Sequence, residues 1–215
     1  MKKYSVIVFD LGNVLIPFDY SLLLAKLDFV EEGLGKKFEA LYNEYYDVHR
    51  SFERGEVSRR EFLDAIHRWT GEKLSDIEFC IAYSSVFKED RKVTSLLPEL
   101  KKRYKLVLLS NTNEIHREYG WGHYKFLENF DKLILSHEAG AVKPEEKIYE
   151  AVMNYTNLPA EEHIFIDDIA EYAEGARKMG WDAIQFKGYD NLIEQFKEKG
   201  ILSPDFPSDE NKSEK

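Results

Sequence analysis

The chain has 215 residues and a formal net charge of −10, so its surface should repel the phosphate backbone of nucleic acids and shows no basic face for a membrane. Hydrophobic residues make up 43% and charged residues 33%, which is typical of a globular protein with a sizeable core. Cys80 is the only cysteine, which excludes an intrachain disulfide and a cysteine-based zinc site. No stretch resembles a signal peptide or a membrane span, and we therefore expect a cytoplasmic protein.

The first predicted strand lies within Val6 to Leu15, VIVFDLGNVL. Four apolar residues run directly into Asp10, and a turn containing Gly12 follows. An apolar run that ends in this way predicts a buried parallel strand. Its carboxyl end would carry Asp10 into the crevice where open α/β sheets bind ligands. Taken alone, the pattern also fits an acid that merely caps a strand.

The segment from Tyr20 to about Val86 has a different pattern. Apolar residues recur at helical spacing, and glycines separate the runs. Ser58-Arg59-Arg60-Glu61 fits a capping box that opens a helix. Because we find no strand pattern here, we expect an all-helical insertion between the first and second strands.

Strands and helices alternate from Thr94 onward, which predicts a Rossmann-like, doubly wound parallel sheet with right-handed crossovers. We assign residues 1–19 and 87–202 to this α/β core, residues 20–86 to the helical insertion, and residues 203–215 to a disordered tail. The expected elements are a helix over Thr94 to Tyr104, a strand over Lys105 to Leu109, a strand over Leu133 to Leu135, a helix over Pro144 to Tyr155, a strand over Ile164 to Ile166, a helix over Ala170 to Met179, a strand over Ala183 to Phe186 and a helix over Leu192 to Lys199.

Polar residues stand at the predicted ends of the strands and in one loop, and parallel strands bring such ends together at one edge of the sheet. Crowded carboxylates repel one another and need a cation, and Mg²⁺ prefers such oxygen ligands. A metal, a lysine and hydrogen-bond donors around a carboxylate nucleophile suit phosphoryl transfer through an aspartyl-phosphate. The residues concerned are Asp10, Ser110, Asn111, Lys143, Asp167 and Asp168.

Four strings occur in order along the chain: VIVFDLGNVL, VLLSNTN, AVKPEEKIY and IFIDD. Together they resemble the four motifs of the haloacid dehalogenase superfamily, and the helical insertion resembles its small cap, so we call residues 20–86 the cap. The strings FDLGNVL, FERGEVS, SNTNEIH and KPEEKIY, with the run from Asp167 to Ala176, are similar to bacterial sugar-phosphate phosphatases related to α-D-glucose-1-phosphate phosphatase.

The resemblance implies a role for each matching residue. Asp10 would be the nucleophile and a Mg²⁺ ligand, and the Gly12 carbonyl and Asp168 would also bind the metal. Asp167 would act through a water or hold Lys143, which would balance charge on Asp10 and on the phosphoryl group. Ser110 would donate to phosphoryl oxygens, helped by the backbone around Asn111.

Two positions depart from the family pattern. Most phosphatases of the superfamily have a second Asp, the general acid/base, two residues after the nucleophile, whereas this chain has Gly12. General acid/base catalysis typically contributes about 10²- to 10⁴-fold in rate, so water, or a group on the substrate or cap, would have to move the proton. Tyr172 stands where related sequences often have Asn, which bears on the Mg²⁺ affinity.

Plainer interpretations exist for these residues, although the ordered motifs favour the site. Asp167 and Asp168 also suit a helix N-terminus, Lys143 a solvated loop, and the Ser110-Asn111 pair a turn. We expect His116 to be a partly exposed helix residue, the polar cap residues to form a solvated face, and the cap aromatics to belong to its core. The polar cap residues are His49, Arg50, Glu53 and Arg54, and the aromatics are Phe38, Tyr42, Tyr45, Tyr46 and Phe52.

The sequence therefore predicts a Mg²⁺-dependent phosphatase for a small phosphorylated metabolite. A sugar phosphate, for example glucose 1-phosphate, is favoured, because an anomeric oxygen leaves readily without an acid. Nucleic acid and membrane are not expected partners, and monomer and dimer both remain open. The alternatives are a C–halogen or C–P hydrolase and, because of Gly12, a phosphate-binding or regulatory protein that is weak or inactive as an enzyme.

Overall fold

A five-stranded parallel sheet lies at the centre of the computed structural model, which describes residues 3–207. The strand order is β3-β2-β1-β4-β5, so the chain starts in the middle of the sheet and builds outward on both sides. This arrangement confirms the predicted α/β class. The strands are β1 (Val6–Phe9), β2 (Lys105–Ser110), β3 (Lys132–Leu135), β4 (His163–Asp167) and β5 (Asp182–Gln185).

The three central strands end within two residues of one another in register. Phe9 of β1 is paired with Leu108 of β2 on one side and with Ile166 of β4 on the other. The Asp10 N–H donates to the Ile166 carbonyl at 2.9 Å, which extends this register by one residue. The chain runs from β1 to β2 and β3 on one side of the sheet and then returns to β4 and β5 on the other side. In such a sheet a crevice opens at the carboxyl end of the strand where the order reverses, which here is β1.

Helices cover both faces of the sheet. Successive side chains of β1 point to opposite faces, so alternate residues pack against different helices. Ile7 and Phe9 join the core that contains α6 (Arg91–Thr94), α7 (Leu97–Lys101) and α11 (Tyr189–Glu198). Val6 and Val8 join the core on the opposite face, with the two helices α9 (Glu146–Thr156) and α10 (Ala170–Lys178). All four β1 residues are buried, as the apolar run predicts.

Seven helices lie between β1 and β2, and the first five of them pack around a separate apolar core. Ser58 forms the predicted capping box with Glu61, and Ser75 forms a second one with Glu78 that the sequence analysis missed. The segments that enter and leave this region pair with each other, since Phe18 and Phe87 form an antiparallel bridge. The first five helices are α1 (Ser21–Val30), α2 (Leu34–Glu44), α3 (Tyr46–Arg54), α4 (Arg59–Thr70) and α5 (Asp76–Ser84).

Several boundaries differ from the prediction. The single helix expected over 94–104 is split into α6 and α7, because Pro98 lies in the first turn of α7 and has no N–H to continue a helix from α6. Helix α9 begins at Glu146, so Pro144 precedes it instead of opening it. Short elements that were not predicted are the helix α8 (Ser136–Ala139), a π-helix (His116–Trp121) and two 3₁₀ turns (Lys125–Asn129 and Ala160–Glu162).

One residue at the start of the predicted tail contacts the core. Phe206 packs on the α11 side, and its N–H donates to the Ser203 carbonyl at 2.9 Å. The disorder expected over residues 203–215 stays a prediction. Residues 208–215 lie outside the described residues. Among residues 3–207, no helix has the length and apolar character needed to cross a bilayer.

Candidate active site

A buried lysine joins the ends of two neighbouring strands. Lys143 is 1% exposed, and its Nζ donates to Asp10 Oδ1 and to Asp167 Oδ2, both at 2.6 Å. Asp10 follows β1 and Asp167 is the last residue of β4. The structure thus brings together three residues that the sequence analysis selected from distant parts of the chain.

Asn111 holds the backbone of Lys143. Its Oδ1 accepts the Lys143 N–H at 2.8 Å, and its Nδ2 donates to the Lys143 carbonyl at 3.2 Å. Ser110 is buried at the end of β2, and its Oγ donates to the Asn111 carbonyl at 3.4 Å. Asn111 therefore serves the loop that carries Lys143, a contact that the sequence analysis did not foresee.

Asp168 is the more accessible acid of the pair that ends β4. Its Oδ2 accepts from Asn13 Nδ2 at 3.2 Å, whereas Asp167 is fully buried and also accepts the Ile169 N–H at 2.8 Å. One carboxylate oxygen from each of Asp10, Asp167 and Asp168 lies within 4.8 Å of the others. Asp167 was expected either to act through a water or to hold Lys143. Its contact with the Lys143 ammonium favours the second of these roles.

The acids carry more negative charge than Lys143 can offset. Burial raises the pKa of Asp10 to about 7, and the Asp167 carboxylate adds to this, while Lys143 opposes it. Burial also raises the pKa of Asp167. Burial disfavours the charge on Lys143, but the two carboxylates outweigh it and raise the Lys143 pKa. Three carboxylates beside one ammonium form a hard, oxygen-rich site that fits a divalent cation such as Mg²⁺.

A cavity of about 240 Å³ opens above these acids, between the sheet edge and the cap. Its core side includes most of the predicted site residues, and its cap side is rich in tyrosine. The core residues are Asp10, Gly12, Asn13, Asn111, Lys143, Asp168, Ile169 and Tyr172, and the others are Phe18, Tyr20, Tyr42, Tyr46, His49, Arg50 and Glu53.

The polar face of α3 points into the protein, and our expectation of a solvated face was wrong for it. His49 and Glu53 are buried, with His49 Nε2 3.4 Å from Glu53 Oε1, and Arg50 Nη1 donates to Glu53 Oε2 at 3.1 Å. Burial would raise the pKa of Glu53, but His49 and Arg50 outweigh it and lower the pKa to about 2. The i, i+3 and i, i+4 spacing of these residues in the sequence indicated a shared face but not its surroundings.

The cap aromatics divide into two groups. Phe38 and Phe52 belong to the cap core, as expected. Tyr42 packs against the cap core and also lines the cavity, whereas Tyr46, which was assigned to the core, lines the cavity instead. Tyr45 is 43% exposed, so it departs from the core assignment as well.

His116 is not the partly exposed residue we expected. It is buried, its ring stacks on Tyr83 at a centroid distance of 4.0 Å, and burial lowers its pKa to about 3. It lies outside the residues that line the cavity. The apolar ring contacts therefore account for this histidine better than an acid/base role.

The two positions that depart from the family pattern both face the cavity. Phe18 Cε1 lies 3.0 Å from the Cβ that a residue other than glycine would have at position 12. The Tyr172 ring has its centroid 5.0 Å from Lys143 Nζ, and the Tyr172 carbonyl accepts from Tyr149 Oη at 2.8 Å. Tyr172 thus shields the ammonium from solvent and is tied to α9.

The chain is similar in sequence to two hydrolases of known activity. The D-ribitol-5-phosphate phosphatase of Bacteroides thetaiotaomicron is 27% identical over 188 residues, which are 83% of this chain and 90% of that protein. The (S)-2-haloacid dehalogenase of Pseudomonas sp. strain YL is 27% identical over 208 residues, 91% of this chain and 88% of that protein.

Solved structures give a similar result. A haloacid dehalogenase family enzyme from Bacteroides thetaiotaomicron, in its magnesium complex, has a TM-score of 0.79 and 27% identity, and the match covers 91% of this chain and 99% of that chain. The same enzyme with magnesium and inorganic phosphate has a TM-score of 0.76 and 26% identity, covering 88% and 99%. The family model described as haloacid dehalogenase-like hydrolase matches residues 4–180. Because this match spans most of the chain, the protein belongs to the haloacid dehalogenase-like hydrolase family.

Proposed function

We propose that this protein is a Mg²⁺-dependent phosphatase that hydrolyses a small phosphate monoester through an aspartyl-phosphate on Asp10. The observation that carries this proposal is the Lys143 ammonium, 2.6 Å from both Asp10 and Asp167, beside a third carboxylate at the cavity. The relative that acts on D-ribitol 5-phosphate and the structural neighbour that holds magnesium and phosphate support the same reaction class.

The residues present suit Mg²⁺. Asp10, Asp168 and the Gly12 carbonyl would hold the ion, because all three lie at the cavity and two are carboxylates. Bound there, Mg²⁺ would supply positive charge that offsets the negative charge of Asp10 and of the phosphoryl oxygens. Asp167 stays with Lys143 and keeps its ammonium directed at Asp10.

The chemical steps fall to the residues of this chain. An Asp10 carboxylate oxygen attacks phosphorus, the bond from phosphorus to the ester oxygen breaks, and the leaving oxygen takes a proton. Water then attacks phosphorus, which releases inorganic phosphate and restores the Asp10 carboxylate. Lys143 offsets charge on Asp10 and on the transferred group, while Ser110 and the backbone near Asn111 donate to phosphoryl oxygens. Since Gly12 has no side chain to move a proton, water or a hydroxyl of the substrate or cap supplies it.

The lining of the cavity supports a proposal for the class of substrate. Its volume of about 240 Å³ is small, and hydroxyl-bearing Tyr20, Tyr42 and Tyr46 face it together with Arg50. Tyrosine rings and hydroxyls suit a polyhydroxylated molecule. A polyol or sugar phosphate of five or six carbons, such as D-ribitol 5-phosphate or glucose 1-phosphate, fits this description.

The test is phosphate release from a panel of polyol, sugar and nucleoside phosphates, with Mg²⁺ and with chelator, beside Asp10→Asn. We expect chelator-sensitive turnover that is fastest on the polyol or sugar esters and is lost in Asp10→Asn. Equal turnover by Asp10→Asn would overturn the role of Asp10. Chelator-insensitive release of chloride from 2-chloropropionate would instead favour the chemistry of the dehalogenase relative.

A second candidate function follows from Gly12. With no acid beside Asp10 and the Phe18 ring in its place, the site could bind phosphate without turning over an ester. Binding of Mg²⁺ and inorganic phosphate by calorimetry, with no turnover of any ester, would favour this regulatory or binding role.

A further inference from the structure

A continuous series of polar contacts runs from the core through the cap and back to the core. We call it the polar circuit. It starts and ends in the loop after β2, and it crosses α5 and α3 on the way. Its members, in order of contact, are Asn113, Tyr83, His49, Glu53, Arg50, Lys143 and Asn111.

The first half of the polar circuit anchors the cap to the core. Asn113 Nδ2 donates to Tyr83 Oη at 3.4 Å, and Tyr83 Oη lies 3.0 Å from His49 Nδ1. His49 Nε2 in turn contacts Glu53 Oε1 at 3.4 Å. All four side chains are buried, so their polar atoms rely on these partners. Glu53 is therefore held in a fixed position on α3.

The second half ends on the peptide group of Lys143. Glu53 Oε2 accepts from Arg50 Nη1 at 3.1 Å, and Arg50 Nη2 donates to the Lys143 carbonyl at 2.7 Å. The same carbonyl accepts from Asn111 Nδ2 at 3.2 Å. The Lys143 carbonyl is thus held from the core by Asn111 and from the cap by Arg50.

We propose that Arg50 is a positioning residue that couples closure of the cap to the placement of Lys143, acting through the Lys143 carbonyl. This inference rests on the proposed function, since it assigns Arg50 to the same site. The Lys143 side chain is fully buried, and its ammonium makes two contacts of 2.6 Å. Because the side chain has little room to adjust, a shift of the Lys143 backbone would move the ammonium away from Asp10 and Asp167. When cap and core separate, the Arg50 contact is lost and Asn111 alone holds the carbonyl.

Arginine suits this position for a geometric reason. Its planar guanidinium directs separate N–H groups to Glu53 and to the Lys143 carbonyl, which lie in different elements. A lysine offers one ammonium and cannot span both partners in the same way. Arg54, one turn later on α3, provides a natural comparison, because it also bridges cap and core by pairing with Glu145 but does not contact Lys143.

The first experiment compares Arg50→Gln and Arg50→Lys with the control Arg54→Gln. The kcat and KM values are measured on the best sugar or polyol phosphate and on acetyl phosphate, which is too small to reach the cap side chains. Loss of a residue that orients a catalytic group typically costs about 10- to 100-fold. We expect a fall of this size in kcat on both substrates for Arg50→Gln, a smaller fall for Arg50→Lys, and little change for Arg54→Gln. A loss confined to the KM of the larger substrate would make Arg50 a substrate contact and overturn the proposal.

A second measurement does not depend on turnover. Hydrogen exchange of the Lys143 amide, followed by NMR, reports the bond that this N–H donates to Asn111. We expect faster exchange in both Arg50 variants and the wild-type rate in Arg54→Gln, with thermal unfolding as the check on folding. Unchanged exchange in folded Arg50→Gln and Arg50→Lys would refute the coupling. If the wild type hydrolyses no ester, the proposed function fails, and this measurement still decides the link between Arg50 and Lys143.

Discussion

The Phe18 ring fills the space into which a side chain at Gly12 would project, with Cε1 3.0 Å from the position of such a Cβ. The Phe18 ring makes edge-to-face contacts with Tyr20 and Phe87, at centroid distances of 5.4 Å and 6.3 Å. An apolar ring therefore stands beside Asp10 where most related phosphatases place a second acid. The proposed reaction at Asp10 would therefore depend on a proton source in the cap, the substrate or the solvent.

Gly12→Asp should introduce a new ionisation into the pH dependence of kcat. In the proposed reaction, a carboxyl group two residues after Asp10 would serve as the acid for the leaving oxygen, and a general acid contributes up to about 10²- to 10⁴-fold. The Phe18 ring must shift by a few tenths of an ångström to admit it, and Phe18 is 36% exposed, so it has room to move. Gly12→Asn is the matched control, because it makes the same steric change without a titrating group. Identical pH profiles for the two variants would count against a missing acid as the limiting feature.

Mg²⁺ should raise the melting temperature of the wild-type protein and have little effect on Asp168→Asn. A ligand that binds only the folded state stabilises it by about 2.7 kcal/mol at a hundredfold excess over its Kd. Asp168 lines the cavity and is one of the three carboxylates whose oxygens lie within 4.8 Å of one another, whereas Glu150 is an exposed acid on α9. Thermal unfolding with and without Mg²⁺ measures the effect, and Glu150→Gln should respond as the wild type does. A full Mg²⁺ shift in Asp168→Asn would exclude this residue as a ligand.

Glu53 should make stability depend on pH in the acid range. Burial opposes its charge, but His49 and Arg50 outweigh burial and lower the pKa from 4.5 to about 2. A carboxyl whose pKa is lower in the folded state stabilises the protein above the unfolded value, and this contribution disappears as the pH falls from about 4.5 toward 2. At pH 7 the shift corresponds to roughly 3 kcal/mol.

The corresponding variant is Glu53→Gln, with Glu56→Gln as its control. Glu53→Gln should melt several degrees below the wild type at pH 7, and the gap should narrow as the pH falls below 5. Glu56 is 55% exposed beside Arg54, so its variant should track the wild type throughout. If the difference in melting temperature between Glu53→Gln and the wild type stays constant with pH, the lost stability comes from packing and not from the charge of Glu53.

The core side of the site was predictable from the sequence because parallel strands constrain it. Asp10 and the Asp167-Asp168 pair follow apolar runs, and the carboxyl ends of parallel strands meet at one edge. The register of β2 beside β1 brings Asn111 to the same edge. Lys143 lies in a loop, and it is held there by two hydrogen bonds with Asn111 that the sequence did not reveal. The catalytic and metal-binding roles of these residues remain predictions, whereas the α/β fold and the family are confirmed.

The cap side was not predictable in the same way. Helical spacing shows that His49, Arg50 and Glu53 share a face of α3, but a polar face of a cap helix resembles a solvated one. Only the docking of α3 on the core places that face over the cavity and next to Lys143. The burial of His116 has a similar origin, since its stacking partner Tyr83 comes from α5, 33 residues earlier in the chain.

Gly175→Ala should lower both stability and Mg²⁺ affinity. Its Cβ would lie 2.5 Å from Tyr149 Oη and 3.1 Å from Pro144 Cβ, so α10 approaches α9 too closely for any side chain. Alanine is favoured over glycine in a helix by about 1 kcal/mol, but overpacking of a core costs about 1–3 kcal/mol, and at 2.5 Å we expect the clash to dominate. Displacing Tyr149 also breaks its bond to the Tyr172 carbonyl, which lies in the first turn after the Asp167-Asp168 pair.

Tyr149→Phe allows the mechanism of this effect to be isolated. The substitution removes the Oη that a Cβ at Gly175 would meet, so the loss caused by Gly175→Ala should be smaller in the Tyr149→Phe background than in the wild type. Residues in direct contact give coupling energies of about 0.5–3 kcal/mol in such double-mutant cycles. Urea unfolding of the four proteins, with calorimetric Mg²⁺ titrations, measures both quantities. Additive losses would mean that Gly175 is required for a reason other than its contact with Tyr149, because only a shared contact makes the second change less costly once the first has been made.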